Sequence, residues 1–421
     1  MKYIIRQATI VDPLSSHNGK KKDILVADDL IEKVADKITD KADHEIAIAG
    51  MHVSPGWVDM QANFRDPGHE YKENLATGAH AAALGGFTGV CLQSSTDPAL
   101  DNKSQIEYLK KSAHTLPVHI YPIGALTHGR EGKEMAELFD MHQAGAIAFS
   151  DDKRFIENAK LMELALNYAK NFGGLIIHFA DTPALSAKGM MHEGNASVFL
   201  GMKGIPAMAE EQGLSRDLYL VAYTGGKIHY NLLSTAGSVA LVKEAKNKQQ
   251  SITAGIAAHQ LYFTDEALKG FHSVHKVNPP YRTQPDADAL IQGLAEGTLD
   301  VICSDHSPED VENKNLEYEY ARPGIINIQT AFSTANTILR KKISINGLIE
   351  KLATNPRKIL GLPTATIQEG SPAEMTFFDP EASFTFSREL NASNSHNSPF
   401  FGVELTGKVL GIYCKGNMVG F

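Results

Sequence analysis

The chain has 421 residues, 43% of them hydrophobic and 21% charged, which excludes a disordered or fibrous protein and suits one large domain with a smaller one. Forty-nine acidic residues against 40 basic ones give a net charge of −9, and no basic block exceeds Lys20-Lys21-Lys22, so no nucleic-acid or anionic-membrane surface is expected. The opening apolar run is broken at Arg6 and no membrane-length apolar stretch follows, so a cytoplasmic protein without a membrane span is expected. Cys91, Cys303 and Cys414 are odd in number and far apart, which predicts buried thiols rather than disulfides or a Cys-x-x-Cys site.

Residues 1–54 read as short strands broken by turns: Tyr3–Ile5, Ala8–Val11, Ile24–Val26, Ile31–Val34 and Ile46–Ile48. From Gly56 apolar runs alternate with amphipathic stretches. Eight such runs occur: Trp57–Gln61, Gly86–Gln93, Val118–Gly124, Ala146–Ser150, Leu175–Phe179, Lys227–Leu233, Ile252–Ala258 and Asp300–Ser304. Eight buried strands separated by helices predict an α/β fold, a (β/α)8 TIM barrel spanning 55–362. Phe155, Ala159, Met162, Leu166 and Ala169 share one face at helical spacing, which predicts an ordinary barrel helix. After Leu362-Pro363 strands return at Met375–Phe378, Ser383–Phe386 and Lys408–Tyr413, so residues 1–54 and 363–421 are expected to build one small composite β-sandwich.

In such a barrel, active groups project from the C-terminal ends of the strands. The first run leads into Asp59-Met60-Gln61-Ala62-Asn63-Phe64-Arg65-Asp66, the fourth into Ser150-Asp151-Asp152, the fifth into His178-Phe179-Ala180-Asp181, and the eighth into Ser304-Asp305-His306-Ser307-Pro308. These ends outline a polar mouth. No Gly-x-Ser-x-Gly elbow and no glycine-rich phosphate loop accompanies it.

Pro55-Gly56-Trp57-Val58-Asp59, Arg65-Asp66-Pro67-Gly68, Gly85-Gly86-Phe87-Thr88, His192-Glu193-Gly194, Asn278-Pro279-Pro280-Tyr281-Arg282, Ser304-Asp305-His306-Ser307-Pro308 and Asn397-Ser398-Pro399-Phe400-Phe401-Gly402 follow in order along nearly the whole chain. In these motifs the sequence resembles the dihydroorotases, metal-dependent cyclic amidases of the amidohydrolase superfamily that act in pyrimidine biosynthesis. The resemblance implies an amidohydrolase barrel with a β-sandwich from both termini. It also implies a zinc site at the mouth, hydrolysis of dihydroorotate to N-carbamoyl-aspartate, and assembly as a homodimer or larger oligomer. Some members of the family form complexes with aspartate carbamoyltransferase.

The departures from the family are concentrated at the metal positions. Its His-x-His at the end of the first strand is Gln61 and Asn63 here, and its histidine closing the sixth strand is Leu232. By resemblance, the remaining metal positions are Asp151 or Asp152, His178 and Asp305, with Asp305 also the catalytic acid/base. Arg65, Ser95 and Asn278 are the substrate-binding positions, and Glu309 stands where the family carries a histidine. Zinc activates water and polarises the carbonyl in these hydrolases and prefers imidazole or thiolate donors. Neutral amides and a leucine in place of three imidazoles therefore predict a chain without a cofactor, holding zinc only if other side chains rebuild the site. Each remnant also has a structural reading. Asp305 can be a hydrogen-bond acceptor in an old pocket, His178 a buried imidazole donating to Asp151, and Arg65-Asp66 an ion pair at the mouth, while Glu309 would repel an anionic substrate. The expected function is that of a catalytically silent dihydroorotase-like protein, a structural or regulatory partner of aspartate carbamoyltransferase. The alternatives are an active cyclic amidohydrolase with an atypical metal site and a metal-free small-molecule binder.

Overall fold

A computed structural model describes all residues, 1–421. The eight expected runs are eight strands: β1 (Trp57–Ala62), β2 (Phe87–Leu92), β3 (His119–Gly124), β4 (Ala148–Phe149), β5 (Ile176–Ile177), β6 (Ile228–Tyr230), β7 (Ile252–Ala257) and β8 (Val301–Cys303). They pair in sequence order, each neighbour parallel to the last. A parallel bridge from Ala62 to His306 closes the ring, with Asn63 N–H donating to His306 O at 2.8 Å. The result is the (β/α)8 barrel.

Strand residues alternate between two apolar clusters, because successive side chains point to opposite faces. Val58, Met60, Cys91, Ile123, Ala148, Ile177 and Val301 share a nine-residue cluster inside the barrel. Trp57, Val90, Phe149, Ile176, Ile228 and Ile302 join the large cluster under the helices. Burial on both faces is why these segments read as continuous apolar runs.

The helix expected after β4 begins later than the spacing suggests, at Ala159–Lys170, because Asn158 caps it by accepting from Lys160 N and Leu161 N at 3.0 and 3.2 Å. Phe155 lies before the cap and stacks on His178, with ring centroids 5.0 Å apart. Leu161, Met162, Ala165, Leu166 and Ala169 supply the buried face.

The two chain ends share one eight-stranded hydrogen-bonded sheet. His52–Pro55 joins them: it pairs parallel with Lys2–Ile10 and antiparallel with Met375–Thr385. The two runs expected near 375–386 are one strand whose pairing is interrupted between Asp379 and Ser383, and Tyr3–Ile5 and Ala8–Val11 likewise merge across a bulge. Glu374 ties this sheet to the barrel through Arg357 at 2.6 Å and His119 at 3.1 Å. Burial alone would raise the Glu374 carboxyl, but His119 and Arg357 outweigh it and hold the pKa at about 2. No helix is long and apolar enough to cross a membrane.

Candidate functional site

The strand ends converge on a mouth in which three non-glycine residues adopt left-handed backbone: Arg65 (φ 61°), Asp152 (φ 56°) and Asp305 (φ 52°). Such conformations cluster at sites where a side chain must be re-aimed. Here they turn the groups after β1, β4 and β8 over the barrel.

Of the paired aspartates, Asp152 enters the mouth. It accepts from Gln61 Nε2 at 2.9 Å and from Ser95 Oγ at 2.6 Å, and Ser95 Oγ in turn accepts from Asn63 Nδ2. Gln61 Oε1 accepts from Gln93 Nε2 at 2.6 Å and Asn231 Nδ2 at 3.0 Å. Asn63 Oδ1 accepts from Arg65 N–H at 3.0 Å. Gln61, Asn63, Ser95 and Asp152 thus form a connected polar web, which leaves Gln93 Oε1 and Asn231 Oδ1 without a partner. Asp151 lies outside it. Its carboxylate accepts from Leu126 N–H at 2.9 Å, Thr127 N–H at 3.0 Å and Thr127 Oγ1 at 2.5 Å, a role confined to the loop after β3. Burial holds the Asp151 carboxyl above the ordinary value despite those donors.

His178 is held by a group that adjacency in sequence does not reveal. Its Nδ1 is 2.6 Å from Asp217 Oδ2, on the helix Ala207–Thr224, and not paired with Asp151. Its Nε2 accepts from Ile156 N–H at 3.1 Å, so the nitrogen that a metal would need is already used. Tyr230 Oη and the Arg216 guanidinium complete the Asp217 shell at 2.7 and 2.9 Å. Burial raises the Asp217 carboxyl, but His178 and Arg216 outweigh it and the net shift is downward.

Asp305 is 2% exposed and pairs with Lys153, whose Nζ lies 2.7 Å from Oδ1 and 2.8 Å from Oδ2; only the Oδ2 contact has hydrogen-bond geometry. His259 Nε2 is 3.4 Å from the same Oδ2. Burial would raise the Asp305 carboxyl, and Lys153 with His259 pulls it below the ordinary carboxylate range. Leu232 is buried with Phe179, Ala257 and Cys303 in an apolar cluster. His306 is also buried; its Nδ1 accepts from Asn327 N–H at 3.3 Å, while its Nε2 lies 3.4 Å from Glu73 without hydrogen-bond geometry.

Arg65 is not paired with Asp66, which instead accepts from Leu75 N–H at 3.2 Å. The Arg65 guanidinium donates to Pro308 O at 3.0 Å and to Glu309 Oε1 at 3.1 Å, and Lys72 Nζ donates to Glu309 Oε2 at 2.6 Å. Glu309 is therefore a buried carboxylate neutralised by two cations, not a free repelling charge. Asn278 stands apart from these groups and lines a cleft of about 670 Å³ with Phe179, Asp181, Glu210, Pro279 and Arg282.

The resemblance implies zinc at this mouth, so the donor set can be tested directly. No three His, Cys, Asp or Glu side chains converge to hold an ion. Gln61 and Asn63 offer only amide groups committed to the web, Leu232 offers none, His178 Nε2 is occupied, and Asp305 holds an ammonium. These residues do not fit zinc. Lys153 and Asp217 escaped the sequence reading: a lysine beside two aspartates carries no motif, and Asp217 approaches from a helix 39 residues beyond His178.

Comparison with known proteins agrees with this architecture. The dihydro-orotase-like family model matches residues 50–238. A dihydroorotase of Pelotomaculum thermopropionicum is 40% identical over 97% of this chain and 96% of its own length. One from Acetivibrio thermocellus is 39% identical over 99% and 98%. Among solved structures, the L-hydantoinase of Arthrobacter aurescens superposes with a TM-score of 0.87 at 22% identity, over 99% of this chain and 96% of that one. The dihydropyrimidinase of Brevibacillus agri gives 0.84 at 22%, over 100% and 95%. Full-length identity near 40%, together with the shared amidohydrolase barrel, means that this chain belongs to the dihydroorotase-like family.

Proposed function

We propose that this chain is a catalytically silent dihydroorotase-like protein that acts as a structural or regulatory partner of aspartate carbamoyltransferase, itself assembled as a dimer or larger oligomer. The observation that carries the reading is the web Gln61–Asp152–Ser95–Asn63, in which the mouth's polar groups bond to one another. Opening a cyclic amide needs an activated water and a polarised carbonyl. Asp305, the remaining candidate base, is paired with Lys153 and His259 and shifted downward, so it is a weak proton acceptor. Arg65, the candidate carboxylate clamp, is spent on Glu309. A scaffold kept whole around such a mouth suits recognition by another protein.

The test is co-elution of the purified full chain with the aspartate carbamoyltransferase of the same genome, with transferase kinetics measured with and without it. A stable complex that alters carbamoyl transfer or its thermal inactivation is expected. Independent elution with unchanged kinetics would overturn the partner role.

A further inference from the structure

The relatives' zinc and the residues found at this mouth disagree, and the disagreement has a definite shape at Lys153. This residue follows Asp152 on the loop leaving β4, whereas Asp305 follows β8. Strands four apart in an eight-stranded ring lie on opposite walls, so the lysine stem crosses the mouth. Its ammonium meets both oxygens of a carboxylate that is 2% exposed, while its own side chain is 19% exposed and enters from the rim. Apart from the imidazole of His259, 3.4 Å away, no other basic group reaches Asp305. A buried carboxylate that loses its cation is strongly destabilising to its protein. A single positive charge on a flexible stem, with three donors that can turn to suit, can meet that need without a metal shell.

We propose that Lys153 is a built-in counter-ion: its ammonium takes the cation position on Asp305, completes the mouth without metal, and opposes the entry of a divalent ion there by charge and by the volume of its stem. This inference rests on the metal-free reading of the mouth. It adds that restoring imidazoles at positions 61, 63 and 232 is not sufficient for zinc binding while Lys153 remains.

Two measurements test it. In a thermal and urea denaturation cycle, Lys153→Met and Asp305→Asn should each lower the midpoint, and the double variant should be more stable than the sum of the two losses predicts. Strictly additive losses would overturn the pairing. The second measurement is zinc per chain after dialysis, by elemental analysis of protein expressed with added zinc. Gln61→His/Asn63→His/Leu232→His should hold well under one zinc per chain, and the same protein carrying Lys153→Ala should hold about one. Stoichiometric zinc in the triple variant, or none in the quadruple variant when circular dichroism shows it folded, would overturn the counter-ion role. If those variants do not fold, the denaturation cycle decides. Zinc at one per chain in the unsubstituted protein would instead overturn the metal-free reading, so the two failures are distinguishable.

Discussion

Replacing Glu309 by alanine removes the carboxylate that stands between Lys72 and Arg65. Its oxygens lie 2.6 Å from Lys72 Nζ and 3.1 Å from Arg65 Nη2, with side-chain exposures of 5%, 8% and 15% for Glu309, Lys72 and Arg65. At an effective dielectric of about 20, the contacts at these distances are worth roughly 5–6 kcal/mol of attraction each. Desolvation of several kcal/mol per ion offsets most of that, so the intact trio contributes little net stability. The single substitution is another matter, because it leaves Lys72 only the Asp310 carboxylate, 4.0 Å away, and Arg65 only the Pro308 carbonyl at 3.0 Å; a loss of about 3 kcal/mol is expected. Urea denaturation followed by circular dichroism reads it as a lower midpoint at unchanged slope. The vacated space should also accept a small carboxylate. Acetate at about 100 times its dissociation constant should return roughly 2.7 kcal/mol to the variant and none to the parent. A Glu309→Ala protein within about 0.5 kcal/mol of the parent, and indifferent to acetate, would refute the reasoning, since that is the range of ordinary surface substitutions.

His229 is fully buried with Nδ1 2.7 Å from Thr253 Oγ1, and burial lowers its pKa from 6.5 to about 4. The folded state therefore takes up this proton later than the unfolded chain does, so its contribution is whole above pH 6.5 and lost as pH falls toward 4, about 3 kcal/mol in all. His229→Gln should flatten the fall in melting temperature between those pH values, and an identical fall in parent and variant would contradict this. Leu232→Ala should cost about 2–4 kcal/mol in denaturant unfolding, because the side chain packs against Phe179, Ala257 and Cys303; a cost under about 1 kcal/mol would mean that the cluster is loose. All three cysteines are buried, and burial pushes the Cys414 thiol up to about 12 and the other two well above the ordinary value. An Ellman titration of native protein should find no reactive thiol, and denatured protein should yield 3, the number of free cysteines.

The barrel was legible because its strands are buried on both faces and so leave continuous apolar runs; all eight appear where those runs lie. The resemblance puts Gln61, Asn63 and Leu232 at the family's imidazole positions, and in the fold Gln61 and Asn63 present amides to the mouth while Leu232 packs in an apolar cluster. Side-chain direction was not legible. Asp151 and Asp152 are neighbours of one type, and only the left-handed backbone at Asp152 sends one into the mouth while Asp151 turns back to Leu126 and Thr127. The partner of His178 was misread as Asp151 for the same reason, because Asp217 comes from a helix distant in sequence. Glu309 looked like a repelling charge until the fold brought Arg65 and Lys72 to it across more than 200 residues. Lys153 had no sequence signal at all, being one lysine among 40 basic residues.

As proposed, this dihydroorotase-like chain holds no zinc and does not turn over dihydroorotate. The most direct measurement is zinc content by elemental analysis on protein expressed with added zinc, with dihydroorotate hydrolysis and carbamoyl-aspartate cyclisation assayed on the same sample. Well under one zinc per chain with no turnover in either direction is the predicted result. About one zinc or more per chain with turnover would contradict it and mean that other side chains rebuild a working site.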